Sequence, residues 1–309
     1  VRSIGFALIN LTCLISNAQI EKVISNLLLE DPVAATYYLK SVKVSDEKKL
    51  FELEIALLQN DLTRFDSLYK QINKSALSTC SEIQYLTLAG LYFHEVGDFT
   101  VANNQFLRAS EQIKKCDPYY EANLNYWAGY SKLEQLDLMG SELRLRKALH
   151  YFQKDSVSNY IKIGRIFFWL GTVKLTQNQL DSATYWLTRS LHLHENTPLD
   201  KTSMLIKLYN NLGNVKAREW EYKESIEFYE KAIRLNKSKL MDKNELAIAC
   251  ANLGRFYADF ENMTEANTWY RESLHWLEQG NLEPNKKALI IQNYATALTS
   301  SQEFSKARI

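Results

Sequence analysis

Few side chains in the sequence have the type and spacing that catalysis needs. Cys250 could serve as a nucleophile with His275 as its base, but only if both lay at one open cleft, and a small buried hydrophobic role suits the cysteine better. His192 and His194 lie about 200° apart around a predicted helix, so they form a poor metal pair and we expect solvated positions. The 309 residues contain no glycine-rich phosphate loop, nucleophile elbow, H-E-x-x-H or C-x-x-C motif. We therefore expect no enzyme, metal site or cofactor.

The charge balance argues against a polybasic binder of nucleic acid or membranes. Lys and Arg number 37 against 36 Asp and Glu, for a net charge of +1. With 46% hydrophobic and 24% charged residues the chain can bury a sizeable core. Gly and Pro are few, at 10 and 4, whereas Tyr, Phe and Trp number 18, 13 and 6. This balance favours continuous helices packed through aromatic side chains, an all-α fold.

The amino terminus has the pattern of an export signal. Arg2 precedes an apolar run from Ile4 to Ile15, and Ser16 and Ala18 supply small residues before a cleavage site. We expect a signal peptide at residues 1–18, export to the periplasm or cell surface, and capping helices over residues 19–44. The alternative is a short buried helix in a cytoplasmic protein. No other apolar run is long enough to predict a membrane span.

A small residue recurs on the predicted helices at nearly equal intervals. It stands at positions 90, 129, 171, 213, 254 and 295, in steps of 39, 42, 42, 41 and 41, with a degenerate copy near 53. Gly213 is followed by Ser225 and Tyr229, and Gly254 by Ala266 and Tyr270. Each copy predicts a helix A, a turn and a helix B, with the small residue letting the two helices touch. The repeats should fill residues 45–309.

The last copy is expected to be truncated. Ala295, Phe304 and Ala307 begin a unit whose turn should precede Phe304 and whose helix B would run past Ile309. Solenoids normally end in a polar capping repeat. The sequence therefore predicts a piece of a longer protein.

The repeat pattern resembles the tetratricopeptide repeat, a helical pair with a 34-residue period and a W-x2-L-G-x2-Y, then A-x3-F, signature. The longer steps are similar to the kinesin light chain type. Lys132, Lys174 and Lys216 replace the Tyr of the signature, and their ammonium groups should reach solvent. The resemblance implies a right-handed superhelical solenoid of antiparallel helix pairs, with helix A lining a concave groove that binds a protein or peptide.

Asparagines recur two residues before the small residue of three successive copies. Asn211, Asn252 and Asn293 therefore occupy equivalent places on helices A. An amide can donate to and accept from the backbone of an extended peptide, at about 0.5 to 1.5 kcal/mol per bond. The alternative is that Asn is merely tolerated on a polar helix face. Further candidate peptide-binding residues flank this row: Asn210, Asn214, Lys207 and Arg255.

Two other sets of residues have a structural and a functional interpretation. Trp127 and Trp169 occupy the asparagine position in earlier copies, where core packing is favoured over an apolar pocket. Cys80 and Cys116 bracket one predicted helix pair, whose antiparallel helices would bring them together. A disulfide there would contribute about 3 to 4 kcal/mol in an exported protein. Two free thiols in a reducing compartment are the alternative.

The sequence thus predicts a protein-protein interaction scaffold, the sensory or regulatory part of a larger protein. Resemblance to exported bacterial repeat proteins implies a downstream output domain, either a caspase-like CHAT protease or a membrane helix with a histidine kinase or DNA-binding domain. A purely structural assembly scaffold without a peptide ligand is the alternative. A cryptic enzyme using Cys250 is a third hypothesis.

Overall fold

The computed structural model describes residue 39 and residues 46–156, 159–196, 202–239, 242–282 and 284–307. The expected signal peptide at 1–18 lies outside these residues, as does the expected capping segment 19–44 apart from Leu39. The described residues form thirteen α-helices and no strand. The helices are α1 Asp46–Leu58, α2 Leu62–Gln71, α3 Thr79–Glu95, α4 Phe99–Gln112, α5 Pro118–Glu134, α6 Leu138–Phe152, α7 Tyr160–Thr176, α8 Leu180–Glu195, α9 Thr202–Arg218, α10 Tyr222–Lys239, α11 Lys243–Asp259, α12 Met263–Gln279 and α13 Pro284–Ala307.

The helices form six consecutive A and B pairs, from α1 and α2 to α11 and α12, followed by α13 as a further helix A. The predicted all-α helical repeat fold is confirmed. The chain divides into two compact units, unit 1 ending at Trp169 and unit 2 beginning at Leu170, within α7.

The turn between helix A and helix B has the same construction in all six pairs. The second residue before helix B has a positive φ; these residues are Asn60, Gly97, Leu136, Asn178, Trp220 and Glu261. The next amide donates back to a carbonyl five residues earlier, as Asp137 does to Lys132 at 2.9 Å, which is the Schellman arrangement. Asp137 also caps α6 through Gly140 and pairs with the Lys132 ammonium at 2.5 Å. The lysines of helix A thus reach out of the packed layer to the turn.

The small residue of helix A does bring helix B into contact, as predicted. A Cβ on Gly213 would lie 2.7 Å from the ring of Tyr229 on α10. The same close approach occurs between Gly254 and Tyr270 on α12. Ser225, at the start of α10, donates to the carbonyl of Gly213 at 2.9 Å. The pair is therefore fixed by contact and by a hydrogen bond at one point.

The turn predicted before Phe304 is wrong, because α13 continues from Pro284 to Ala307. In three earlier copies a Lys three residues after the glycine of helix A holds the turn, as Lys216 does through Glu219 and Glu221. The equivalent residue of α13 is Leu298. The lysine is not required for the turn, since α11 carries Tyr257 at this position, but continuing the helix avoids the positive φ that a turn at Gln302 would need.

Trp127 and Trp169 belong to the core of unit 1, which confirms their structural interpretation. Both are buried, and Tyr126 lies 4.8 Å from the Trp169 ring, centroid to centroid. Tyr130 also stacks on Trp169, with the ring centroids 5.1 Å apart. These rings join α5 to α7 within unit 1.

Candidate functional site

Unit 2 carries a polar face on its successive A helices. Asn211 lies on α9, Asn252 on α11 and Asn293 on α13, and each side chain is half-buried. Helix α9 packs against α11, and α11 against α13. Equivalent residues on packed helices are about 8 to 10 Å apart. We call these three residues, with Lys207 and Arg255, the asparagine face.

The amides of this face differ in how far they are already engaged. Asn211 donates through Nδ2 to the Thr172 hydroxyl of α7 at 2.9 Å, which leaves its oxygen uncommitted. Within the part of the chain that the structure describes, the side chains of Asn252 and Asn293 make no hydrogen bond. Two of the three amides therefore present both a donor and an acceptor at a half-exposed position.

Asn214 is a connecting residue between helices. Its Oδ1 accepts from the Tyr229 hydroxyl at 2.9 Å and from Nη2 of Arg255 at 3.1 Å. The amide oxygen thus ties α9 to both α10 and α11. The bond to Asn214 fixes the guanidinium of Arg255, which lies three residues after Asn252 on α11.

Asn210 lies inside the helix packing. Its side chain is only 4% exposed, and neither amide atom has a hydrogen-bond partner. An unsatisfied buried amide costs about 1 to 3 kcal/mol. Asn210 and Asn211 are about 100° apart around α9, so the two neighbours have different environments.

The charges on the asparagine face are partly paired. Lys207 on α9 lies 3.6 Å from Glu245 at the start of α11, measured from Nζ to Oε1. Burial raises the pKa of the Glu245 carboxyl, and the Lys207 ammonium opposes that shift. At the other end of α9, Arg218 donates to the Leu175 carbonyl at 2.7 Å. Burial and the nearby Arg255 lower the pKa of Arg218, so cationic groups gather at this end.

The candidate catalytic groups are not arranged for chemistry at an open cleft. Cys250 is fully buried in a cluster with Tyr229 and Leu246, and burial raises the pKa of its thiol to about 12. This is the small hydrophobic role that the sequence favoured. His194 is buried and its ring contacts the Ser190 carbonyl at 2.8 Å, so the solvated position expected for it is wrong. Helix packing around α8 covers this position.

In unit 1, Cys80 at the start of α3 and Cys116 after α4 form a disulfide. Their Cα atoms are 5.5 Å apart across a sequence separation of 36. The bond joins the two ends of one helix pair.

Two structural features are absent from the described ranges. No group of three or more His, Cys, Asp or Glu side chains there could hold a metal ion. No helix there combines the length and the apolar character that crossing a bilayer requires.

Comparison with known proteins identifies the repeat. Residues 206–239, which cover α9 from Ile206 and all of α10, match the tetratricopeptide repeat family. No curated protein matches the sequence.

Solved structures share the architecture at low sequence identity. NprR in complex with its cognate peptide NprX is 18% identical, with a TM-score of 0.59 over 85% of this chain and 75% of that one. A Rap protein complexed with the competence and sporulation factor is 16% identical, with a TM-score of 0.63 over 89% and 82%. Aspartyl phosphate phosphatase F from Bacillus subtilis is 14% identical, with a TM-score of 0.61 over 96% and 85%. Residues 206–239 are thus a tetratricopeptide repeat, set in a chain whose described helix pairs have a TPR-like repeat fold.

Proposed function

We propose that the chain is a protein-interaction scaffold that binds an extended peptide, or an extended segment of a partner, along the asparagine face. The observation that carries this proposal is the pair of unengaged amides on Asn252 and Asn293, at equivalent places on α11 and α13. Their role is binding, and no reaction is assigned to them.

Side-chain amides suit a peptide backbone because each offers a donor and an acceptor to the peptide's own carbonyl and amide groups. A spacing of about 8 to 10 Å between successive asparagines corresponds to three residues of an extended polyproline II chain, whose groups recur on the same side at that interval. Each amide contributes about 0.5 to 1.5 kcal/mol, so the grip is weak without further contacts. Arg255 and Lys207 add positive charge that suits a carboxylate of the ligand.

The structural relatives support the proposal. NprR was solved with its cognate peptide and a Rap protein with the competence and sporulation factor, both on this architecture. The tetratricopeptide match at residues 206–239 falls on α9 and α10, the pair that carries Lys207 and Asn211. Repeats with steps of 41 and 42 residues also agree with the kinesin light chain type that we propose for the subfamily.

The test begins with peptides selected from a random twelve-residue display library on the full chain. Binding is then measured by fluorescence polarisation for the wild type and for Asn252→Ala with Asn293→Ala. We expect the double variant to bind about 5- to 100-fold more weakly, because two backbone hydrogen bonds are lost. N-methylation of the peptide's central amides should weaken binding comparably, whereas side-chain changes there should matter less.

A matched double variant controls for the loss of two asparagines. Asn103 and Asn104 lie exposed on α4 of unit 1, and changing both to Ala should leave peptide affinity unchanged. If the library yields no binder, or the Asn252 and Asn293 variant binds as well as wild type, the peptide function fails. The assembly scaffold without a ligand then becomes the better account.

We further propose that the chain is exported and that an output domain of the CHAT or kinase type follows the repeats in the full protein. The Cys80 and Cys116 disulfide supports export, because such bonds persist in oxidising compartments. Cell fractionation tests the location, and the gene beyond codon 309 tests the output domain. A reduced protein found in the cytoplasm would contradict export.

A further inference from the structure

Unit 1 has a cleft between the first half of α5 and the second half of α6, with a volume of about 490 Å³. Basic side chains line its α6 side, and they lie on one face of the helix; they are Arg146, Lys147, His150 and the following Lys154. Pro118, Glu121 and Asn125 of α5 form the opposite wall. We call this the basic cleft, and it is distinct from the asparagine face.

The cations of this cleft are unequally engaged. Arg146 pairs with Glu142, one turn earlier on α6, at 2.8 Å. Lys147 and Lys154 are exposed, and neither makes a hydrogen bond or ion pair among the described residues. Asn125 is engaged on both sides of its amide, since it accepts from Arg144 at 3.2 Å and donates to the Glu121 carbonyl at 2.9 Å. Among the residues that line the cleft, Glu121 is the one carboxylate, and Asp117 lies at its edge through the Tyr151 hydroxyl at 3.5 Å.

The position equivalent to Lys147 in unit 2 is occupied by a paired carboxylate. Leu145 and Tyr270 each lie over the glycine of their pair, so Lys147, two residues later, corresponds to Glu272. Glu272 is paired with Lys237 of the preceding helix B at 2.8 Å. Phe106 and Tyr229 likewise each lie over the glycine of their pair. Lys114 and Lys237 each follow that ring by eight residues, so they are equivalent. In unit 2 a lysine therefore faces a glutamate. At the equivalent positions of unit 1, Lys114 and Lys147 are both lysines.

Helices α4 and α10, which precede the two positions, differ in length. Helix α10 has 18 residues and carries Lys237 within its last turn. Helix α4 has 14 residues and ends at Gln112, so that Lys114 falls in the 3-10 turn Ile113–Lys115, just before the disulfide at Cys116. The preceding helix B therefore ends before it reaches the level of Lys147, and the residue that stands where Glu272 stands in unit 2 is itself a lysine.

We propose that the basic cleft is a second binding surface, whose occupant is an extended acidic segment of a partner protein. Lys147 and Lys154 are seven residues apart on a helical line, or about 10 Å along the axis. Carboxylates three residues apart on an extended polyproline II chain lie on the same side of it, about 9 Å apart. Leu143 is 60% exposed one turn before Lys147 and offers an apolar contact beyond the charges.

The test uses the full chain and a labelled Gly and Ser peptide of about nine residues with glutamates three positions apart, followed by fluorescence polarisation at low and high salt. Lys147→Ala with Lys154→Ala should weaken binding about 5- to 10-fold, as expected for two exposed ion pairs, and salt should do the same to the wild type. Glu121→Gln should tighten binding. The control changes Lys223 and Arg271, exposed in unit 2, to Ala and should have no effect.

Three results overturn the proposal: equal binding of the peptide with Gln in place of Glu, an unaffected lysine double variant, or stronger binding by inorganic tripolyphosphate than by the peptide. The last would assign the cleft to a free anion. The Asn252 and Asn293 variant should keep full affinity for this peptide, so failure here and failure of the asparagine face are separable.

Discussion

At the scale of single residues, asparagine has four different environments on α9 and α11. Asn210 is buried without partners, Asn211 is half engaged by Thr172, Asn214 joins three helices, and Asn252 is unengaged. The same side chain is therefore an energetic cost at one position, a structural link at another and a candidate contact for a ligand at a third.

Asn210 gives the clearest residue-scale prediction. Asn210→Ala should raise the free energy of unfolding by about 1 kcal/mol, because two buried unsatisfied groups are removed and Ala favours the helix. The equivalent residue of α11 is the buried Ala251, so a small side chain fits there. Urea denaturation measures the change. Asn211→Ala, which loses the bond to Thr172, should lower stability by about 0.5 to 1.5 kcal/mol, and a loss of similar size for both variants would contradict the assignment.

The sequence register predicted which asparagines are equivalent, but their engagement could not be read from it. The partners of Asn211 and Asn214 come from helices about one repeat away, at Thr172 and Arg255. Asn210 and Asn211 are neighbours in sequence, and only the packing of α9 distinguishes them. The basic cleft was not predicted because Glu121 and Asn125 of α5 lie opposite Lys147 and Lys154 only once the helices have packed.

At the scale of the helix pair, the glycine of helix A sets the distance to helix B. A Cβ on Gly213 would lie 2.7 Å from Tyr229, whose hydroxyl is fixed by Asn214, whereas on Gly254 it would lie 3.0 Å from Tyr270. The tighter contact leaves less room for the ring to move.

Gly213→Ala should therefore destabilise the protein by about 1 to 3 kcal/mol through overpacking, with Gly254→Ala costing less. Thermal unfolding of both variants and the wild type measures which substitution lowers the stability more. If Gly213→Ala proves neutral or stabilising, helix propensity outweighs the contact and the account of the pair is wrong.

The recurrence of small residues predicted these pairs because each pair needs a small residue where helix A contacts helix B, and such residues can be read directly from the sequence. The end of α13 could not be predicted in the same way. A turn depends on the balance between helix continuation and the contacts that hold the turn, and these contacts differ between copies: Lys216 holds its turn through Glu219 and Glu221, whereas the equivalent residue of α11 is Tyr257.

At the scale of the whole molecule, the two units carry different stabilising and binding features. Unit 1 contains the Cys80 and Cys116 disulfide and the basic cleft, and unit 2 contains the asparagine face. The disulfide, the basic cleft and the asparagine face are all formed by helices of the repeat, which the sequence predicted across residues 45–309.

Reduction of the disulfide should lower the stability of unit 1 by about 3 to 4 kcal/mol, because the closed loop restricts the unfolded chain. Hydrogen exchange should then accelerate in α3 and α4 while α11 and α12 keep their protection. The double variant Cys80→Ser with Cys116→Ser should not respond to reductant. Equal acceleration in both units, or none, would contradict a local role for the bond.

The central claim is that Asn252 and Asn293 contact a peptide backbone, and side-chain amide spectra test it most directly. In protein labelled with 15N at asparagine, adding a selected peptide should shift the side-chain NH2 resonances of these two residues and leave those of Asn103 and Asn104 in place. If the peptide binds and the Asn252 and Asn293 signals do not move, the asparagine face is not the binding site.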